Sequence, residues 1–183
     1  MRRLITVVLI TFALGAIANA QLPGGNIFVG YSYLAADTNT SGHANLNGWN
    51  GSLEGKVFPF IGIVADLSGH YGSERFPALC GVTSCSVNAK VHSALFGPRV
   101  SFTVGHFTPF AHVLVGVSHI SADLSGSSAS DSDTSFSEAF GGGIDYRLIK
   151  PIDWRIQADM LQTRFFSNTQ DNFRLSTGLV LRF

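Results

Sequence analysis

The sequence predicts an all-β fold, a single eight-stranded antiparallel up-and-down transmembrane β-barrel with an apolar outer face and a charged interior. Three observations predict it. Phe173, Leu175, Thr177, Leu179, Leu181 and Phe183 alternate with Arg174, Ser176, Gly178, Val180 and Arg182, and a period of two sends successive side chains to opposite faces of a sheet. Seven earlier segments of roughly ten residues, the length a tilted strand needs to cross a bilayer, keep their charges almost entirely on one parity. The links between segments alternate between long and short, as in a meander with loops at one end and tight turns at the other.

The elements follow in order. Arg2 and Arg3 precede an apolar run from Leu4 to Ile17 and the small-x-small pattern Ala18-Asn19-Ala20, which reads as a secretory signal peptide over residues 1–20. The run is shorter than the roughly 20 residues of a spanning helix. Residues 21–183 then form one barrel domain. Strand one, 26–35, turns Ile27, Val29, Tyr31 and Tyr33 outward and Ser32 inward. Strand two, 48–57, has Trp49, Leu53 and Val57 outside and Asn50, Ser52, Glu54 and Lys56 inside. Strand three, 60–71, sets Ile61, Ile63, Ala65 and Leu67 against Asp66, Ser68 and His70. Strand four, 89–102, turns Ala94, Phe96, Val100 and Phe102 outward and Arg99 and Ser101 inward. Pro98 interrupts it, and the missing N–H predicts a bulge that leaves open whether His92 or Ser93 faces inward.

Strand five, 109–119, has Val113, Val115 and Val117 outside and His112 and Ser118 inside. Strand six, 137–147, sets Phe140, Ile144 and Tyr146 against Asp145 and Arg147. Strand seven, 152–163, sets Ile152, Trp154, Ile156 and Met160 against Asp153, Arg155, Gln157, Asp159 and Thr163. Strand eight, 172–183, brings Arg174 inside. The long polar links lie around Asp37–Asn47, Gly72–Asn88, Ile120–Phe136 and Arg164–Asp171; the Ser/Asp-rich stretch Ser121–Ser137 reads as a solvated outer loop.

A soluble eight-stranded barrel fills its inside with apolar groups and turns polar ones to water. The reverse order is stable only where the surrounding solvent is lipid, since an Arg or Lys at the bilayer midplane costs about 2–4 kcal/mol. Tyr33, Trp49 and Tyr71 at one end and Phe102, Tyr146, Trp154 and Phe183 at the other suit interfacial girdles. Twelve acids balance twelve bases, so no electrostatic footprint for nucleic acid exists.

Chemistry is sparse by comparison. Glu54, Asp66, Asp145 and Asp159 share the inner face with Arg99, Arg147, Arg155 and Arg174, and eight strands leave room for little more than side chains. The arrangement is expected to be an ion network plugging the lumen, with a narrow ion or water channel as the alternative. Cys80 and Cys85 enclose a turn-like segment, which in an exported protein reads as a small loop disulfide. Six scattered histidines form no His-x-His pair, and no metal or cofactor site is expected. Gly141-Gly142-Gly143 lacks the Lys-Ser/Thr of a phosphate loop and is expected to make room for bulky lumen neighbours.

Taken together, Phe28-Val29-Gly30-Tyr31-Ser32-Tyr33, Leu95-Phe96-Gly97-Pro98-Arg99, Pro109-Phe110-Ala111-His112, Phe140-Gly141-Gly142-Gly143-Ile144-Asp145, Gln157-Ala158-Asp159 and the segment from Arg174 to Phe183 resemble the OmpA-like (OmpA/OmpX-type) outer-membrane β-barrel family. The resemblance implies an outer-membrane location, with membrane lipid as surroundings and the barrel-assembly machinery as a partner during biogenesis. It also implies that Leu175, Leu179, Leu181 and Phe183 form the assembly signal. Larger relatives carry a peptidoglycan-binding domain after the barrel; this chain ends at its eighth strand, and that activity is not carried over. His119-Ile120-Ser121, with Glu138 on the next segment, is superficially similar to the His-x-Ser of eight-stranded lipid A deacylases, although Ala122 stands where their motif continues with a polar residue. The expected function is structural or surface-interacting, monomeric and without turnover, with a lipid A-modifying hydrolase as a further alternative. The ligand of the outer loops is not legible.

Overall fold

A computed structural model describes residues 24–38, 42–76, 85–124, 130–163 and 170–183. Residues 1–20, expected to be a signal peptide, and Cys80 lie outside the described residues, so the expected disulfide does too; Cys85 opens a strand. The strands are β1 (Gly25–Thr38), β2 (Gly42–Phe58), β3 (Ile61–Phe76), β4 (Cys85–Ser101), β5 (Phe107–Leu124), β6 (Ser130–Ile149), β7 (Ile152–Thr163) and β8 (Gln170–Arg182). They form a closed barrel in which each strand pairs antiparallel with its neighbours in sequence and β8 pairs with β1. Closure leaves no sheet edge, which is what a β-structure in hydrocarbon requires. The seam continues to Phe183, whose N–H donates to the Gly25 carbonyl at 3.1 Å while its own carbonyl accepts from the Gly25 N–H at 2.9 Å.

Every segment expected to be a strand is one, but most run further than the hydrophobic pattern suggests. Much of Asp37–Asn47 and Gly72–Asn88, expected as loop, belongs to the β1–β2 and β3–β4 ladders. The Ser/Asp-rich stretch is likewise mostly strand: Ser121 pairs with Ser132, Asp123 with Ser130 and Gly116 with Ser137. The reason is that a hairpin ladder satisfies backbone groups on both strands whatever the side chains, so it continues after the apolar pattern has stopped.

The bulge expected at Pro98 is absent. Phe96 pairs with Val115 and Arg99 with His112, one unbroken register, so the proline costs ladder bonds locally and shifts nothing. His92 is accordingly exposed and Ser93 buried. Register irregularities occur instead between Lys56 and Phe58 and between Arg147 and Ile149, both beside short turns.

The lumen holds two kinds of filling. Leu34, Leu46, Val64, Val91, Leu95, Leu114, Ala139 and Leu161 form a buried apolar cluster. On β2, β4, β5, β6 and β7 each of these residues lies on the loop side of that strand's Glu54, Arg99, His112, Asp145 or Asp159. Val64 is the exception, lying on the turn side of Asp66 on β3. Most but not all of the apolar cluster therefore sits toward the loop end, interleaved with buried Ser68, His70, Ser93 and Ser118.

Candidate functional site

The polar filling is assembled from inward positions of every strand, because period-two alternation in a closed barrel gives each strand one lumen face. Toward the turns, Glu54 accepts from Asn26 Nδ2 at 2.7 Å and Arg99 Nη1 at 3.0 Å, and its other oxygen lies 2.9 Å from Lys56 Nζ. Lys56 also donates to Ser101. Beside them Arg155 grips Asp145 with two bonds, Nε at 2.6 Å and Nη2 at 2.9 Å, the fork geometry that makes arginine the preferred carboxylate partner. Arg182 bridges Asp145 and Asp153, and Arg147 stands at the margin, 3.7 Å from Asp153.

Aromatic rings separate the cations. The Phe110 ring lies between Arg99, 4.2 Å from its centroid, and Arg155, 4.6 Å away; Arg155 also stands 5.0 Å from the Phe28 ring. Stacking a desolvated guanidinium on a ring is worth about 2 kcal/mol. Glycine makes the rings possible: a Cβ at Gly143 would come within 2.8 Å of the Phe110 ring, and one at Gly30 within 2.8 Å of the Phe28 ring. The Gly141–Gly143 run thus makes room for its lumen neighbours, as its composition suggested.

A second knot centres on Arg174, which is fully buried and ties three strands together across the lumen. From β8 it reaches Asp66 on β3 at 2.8 Å and Asp159 on β7 at 2.8–2.9 Å. Asp159 also accepts from Gln157 at 2.8 Å and pairs with His112 Nε2 at 2.8 Å. His112 Nδ1 lies 3.4 Å from Arg99 Nη2; a guanidinium can only donate, so Nδ1 accepts and the ring hydrogen sits on Nε2. This imidazole connects the two knots. Elsewhere on the lumen face, His70 Nε2 and Ser176 each share a 2.9 Å bond with the Ser32 hydroxyl.

All eight residues expected in a lumen network are therefore gathered, with Arg147 at its edge. Sequence reasoning left out Lys56, Asp153, Arg182 and His112 as network members, although their parity carried the signal. It missed the apolar cluster and the Phe28 and Phe110 rings, since inward apolar residues were not distinguished from lipid-facing ones.

The catalytic alternative is not assembled. His119 and Ser121 share the outer face, but His119 Nδ1 bonds Thr134 Oγ1 at 2.7 Å, and Glu138 pairs with Val115, four residues along β5. At about 3.3 Å per residue that puts roughly 13 Å along the ladder between the backbone positions of His119 and its supposed acid. Among the described residues no group of three His, Cys, Asp or Glu side chains is gathered for a metal ion.

The outer surface is the complement of the lumen. Val29, Leu67, Phe96, Val113, Val117 and Leu179 are each more than half exposed. Toward the loop end the band closes with Tyr31 and Tyr33, whose hydroxyls donate to Asn47 and Asn45, and polar outward residues follow. Buried ions inside an apolar exterior define an integral membrane β-barrel.

The profile of the outer membrane protein beta-barrel domain family matches residues 4–183, and the chain belongs to that family. Solved structures share the fold at low sequence identity. Ail, the attachment invasion locus protein of Yersinia pestis, is 18% identical with a TM-score of 0.63, covering 87% of this chain and 98% of its own. Neisserial surface protein A is 13% identical with a TM-score of 0.65, covering 87% and 97%. OprG from Pseudomonas aeruginosa is 11% identical with a TM-score of 0.60, covering 87% and 95%. No curated protein is similar in sequence at a significant level. Family and neighbours imply the bacterial outer membrane.

Proposed function

We propose that this protein is a structural or surface-interaction component of the outer membrane that neither conducts ions nor turns over a substrate. The observation that carries the reading is the filled lumen. Arg174 reaches across it to Asp66 and Asp159, and the buried apolar side chains Leu34, Leu46, Val64, Val91, Leu95, Leu114 and Leu161 pack around and beyond that knot, so a solute would have to break buried ion pairs and pass a packed apolar filling. Strands that continue past the Tyr31–Asn47 and Tyr33–Asn45 belt support a surface role, because they carry polar side chains clear of the lipid.

Export through the segment 1–20, assembly read from Leu175, Leu179, Leu181 and Phe183, and a monomeric state belong to the same proposal. Those four side chains are all turned to lipid, where a folding machine can touch them. The deciding experiment is planar-bilayer recording of the refolded barrel. No stable conductance step is expected. A reproducible open level from protein showing the heat-modifiable gel shift of an intact barrel would establish the channel reading instead.

A further inference from the structure

One row of the lumen runs through five consecutive strands. Arg99, His112, Gly141, Asp159 and Arg174 are successive cross-strand partners on β4, β5, β6, β7 and β8. His112 and Asp159 stand two strands apart, with about 10 Å between their backbones, and their side chains meet over the strand between. Gly141 lets them do so: a Cβ there would collide with Asp159 Oδ1, the oxygen that bonds His112 Nε2 at 2.8 Å. On the other flank Gly62 pairs with Arg99, and a Cβ at Gly62 would strike the Glu54 carboxyl group that accepts from Arg99. Both glycines are openings through which side chains reach across a strand.

The bonds along the row have a direction. Arg99 donates to Glu54 and to His112 Nδ1, His112 donates to Asp159, and Arg174 donates to Asp159 and Asp66. Only an uncharged imidazole can accept on one side and donate on the other. The charged groups facing His112 are Arg99 from β4, with Glu54 of β2 behind it, and Asp159 from β7, with Arg174 of β8 and Asp66 of β3 behind that. β6 offers Gly141, and β5 itself adds only the Phe110 ring, 5.8 Å away, and Leu114. A proton on Nδ1 would set two donors face to face, and like charges directly opposite in a ladder repel. Nε2–H would still point at Asp159, so the ring stays. Arg99 is the group that moves, because Glu54 at 3.0 Å and the Phe110 ring at 4.2 Å still hold it on its other sides.

We propose that His112 is an acid-responsive latch inside the barrel. Uncharged, it joins the turn-side knot of Arg99 and Glu54 to the knot of Arg174, Asp66 and Asp159; on taking a proton from solvent at Nδ1 it releases Arg99 and uncouples the two. Imidazole is the side chain that changes charge in mildly acidic water, and an outer-membrane barrel meets the acidity of the medium directly. Both states keep the ion pairs of Arg174, so the latch goes beyond the filled-lumen reading without reopening it.

Nuclear magnetic resonance of the folded barrel in lipid nanodiscs, with isotope-labelled histidine and arginine side chains, tests it between about pH 7.5 and about pH 5. At the upper end His112 Nδ1 should read as a bare nitrogen and Nε2 as protonated. At the lower end both should carry protons, and the Arg99 guanidinium protons should exchange with water about tenfold faster relative to those of Arg155, the change that loss of one charge-assisted hydrogen bond supplies. His112→Gln, whose amide can donate to Asp159 and accept from Arg99 but cannot titrate, should hold that ratio level over the same range. His70→Gln, a change at the second buried histidine, should leave the response in place. A His112 Nδ1 that stays bare at the lower end, an Arg99 response that survives in His112→Gln, or one that disappears in His70→Gln would overturn the proposal.

Discussion

Replacing Arg174 with methionine keeps most of the aliphatic stem and removes the charge that ties β8 to β3 and β7. Two carboxylates then face each other in a buried site. Asp66 keeps the Asn50 amide at 2.9 Å, and Asp159 keeps Gln157 and His112, so neither is left bare. Breaking a buried pair costs about 3–5 kcal/mol. With two pairs lost and three donors remaining, about 4 kcal/mol is expected, close to a thousandfold in the unfolding equilibrium. Urea titration in lipid vesicles would measure it through the emission of Trp49 and Trp154, both on the lipid face, alongside cold gel mobility. Adding Asp66→Asn and Asp159→Asn should restore most of the loss, because a neutral hydrogen-bonded core needs no counter-charge. If Arg174→Met alone unfolds within about 1 kcal/mol of wild type, the lumen ions are water-screened and the reasoning about a dry plug fails.

Phe110→Ala removes the ring between Arg99 and Arg155 and should cost about 3–5 kcal/mol in the same titration. The cavity cannot be refilled from Gly143, since a Cβ there also meets the Ile156 carbonyl. Val113→Arg, in the lipid band, should cost about 2–4 kcal/mol, whereas Asn45→Arg, beyond the tyrosine belt, should change stability by less than about 1 kcal/mol. Equal effects would mean the bilayer boundary is misplaced. Ser121→Ala should leave the lipid A mass spectrum of an expressing strain identical to that of wild type, with no deacylated species from either; loss of a deacylated species in the variant would establish the hydrolase.

The arrangement of faces was legible because each strand meets only two environments, lipid outside and a narrow lumen inside, and parity chooses between them. Glu54, Asp66, Asp145, Asp159 and Arg174 could be assigned to the interior from their neighbours two residues away. Strand ends were not legible. Beyond the bilayer, residues such as Ser121 and Ser132 have the composition of a loop and the backbone pairing of a ladder, and only the pairing decides. Pro98 misled for a related reason: its missing donor is a local cost, while register is held by the residues on either side. The apolar cluster was hidden because Leu34, Leu114 and Leu161 have the composition of lipid-facing residues; their inward parity was the available signal.

The seam between β8 and β1 has a consequence for biogenesis. Ile27 finds its partner in Leu181, so all eight strands must be synthesised before β1 and β8 can meet. Until then any curled intermediate exposes two raw flanks of unpaired amides, and in an aqueous compartment such flanks stick to whatever strand they encounter. The cell must therefore shield or template the growing sheet for as long as the final hairpin is missing.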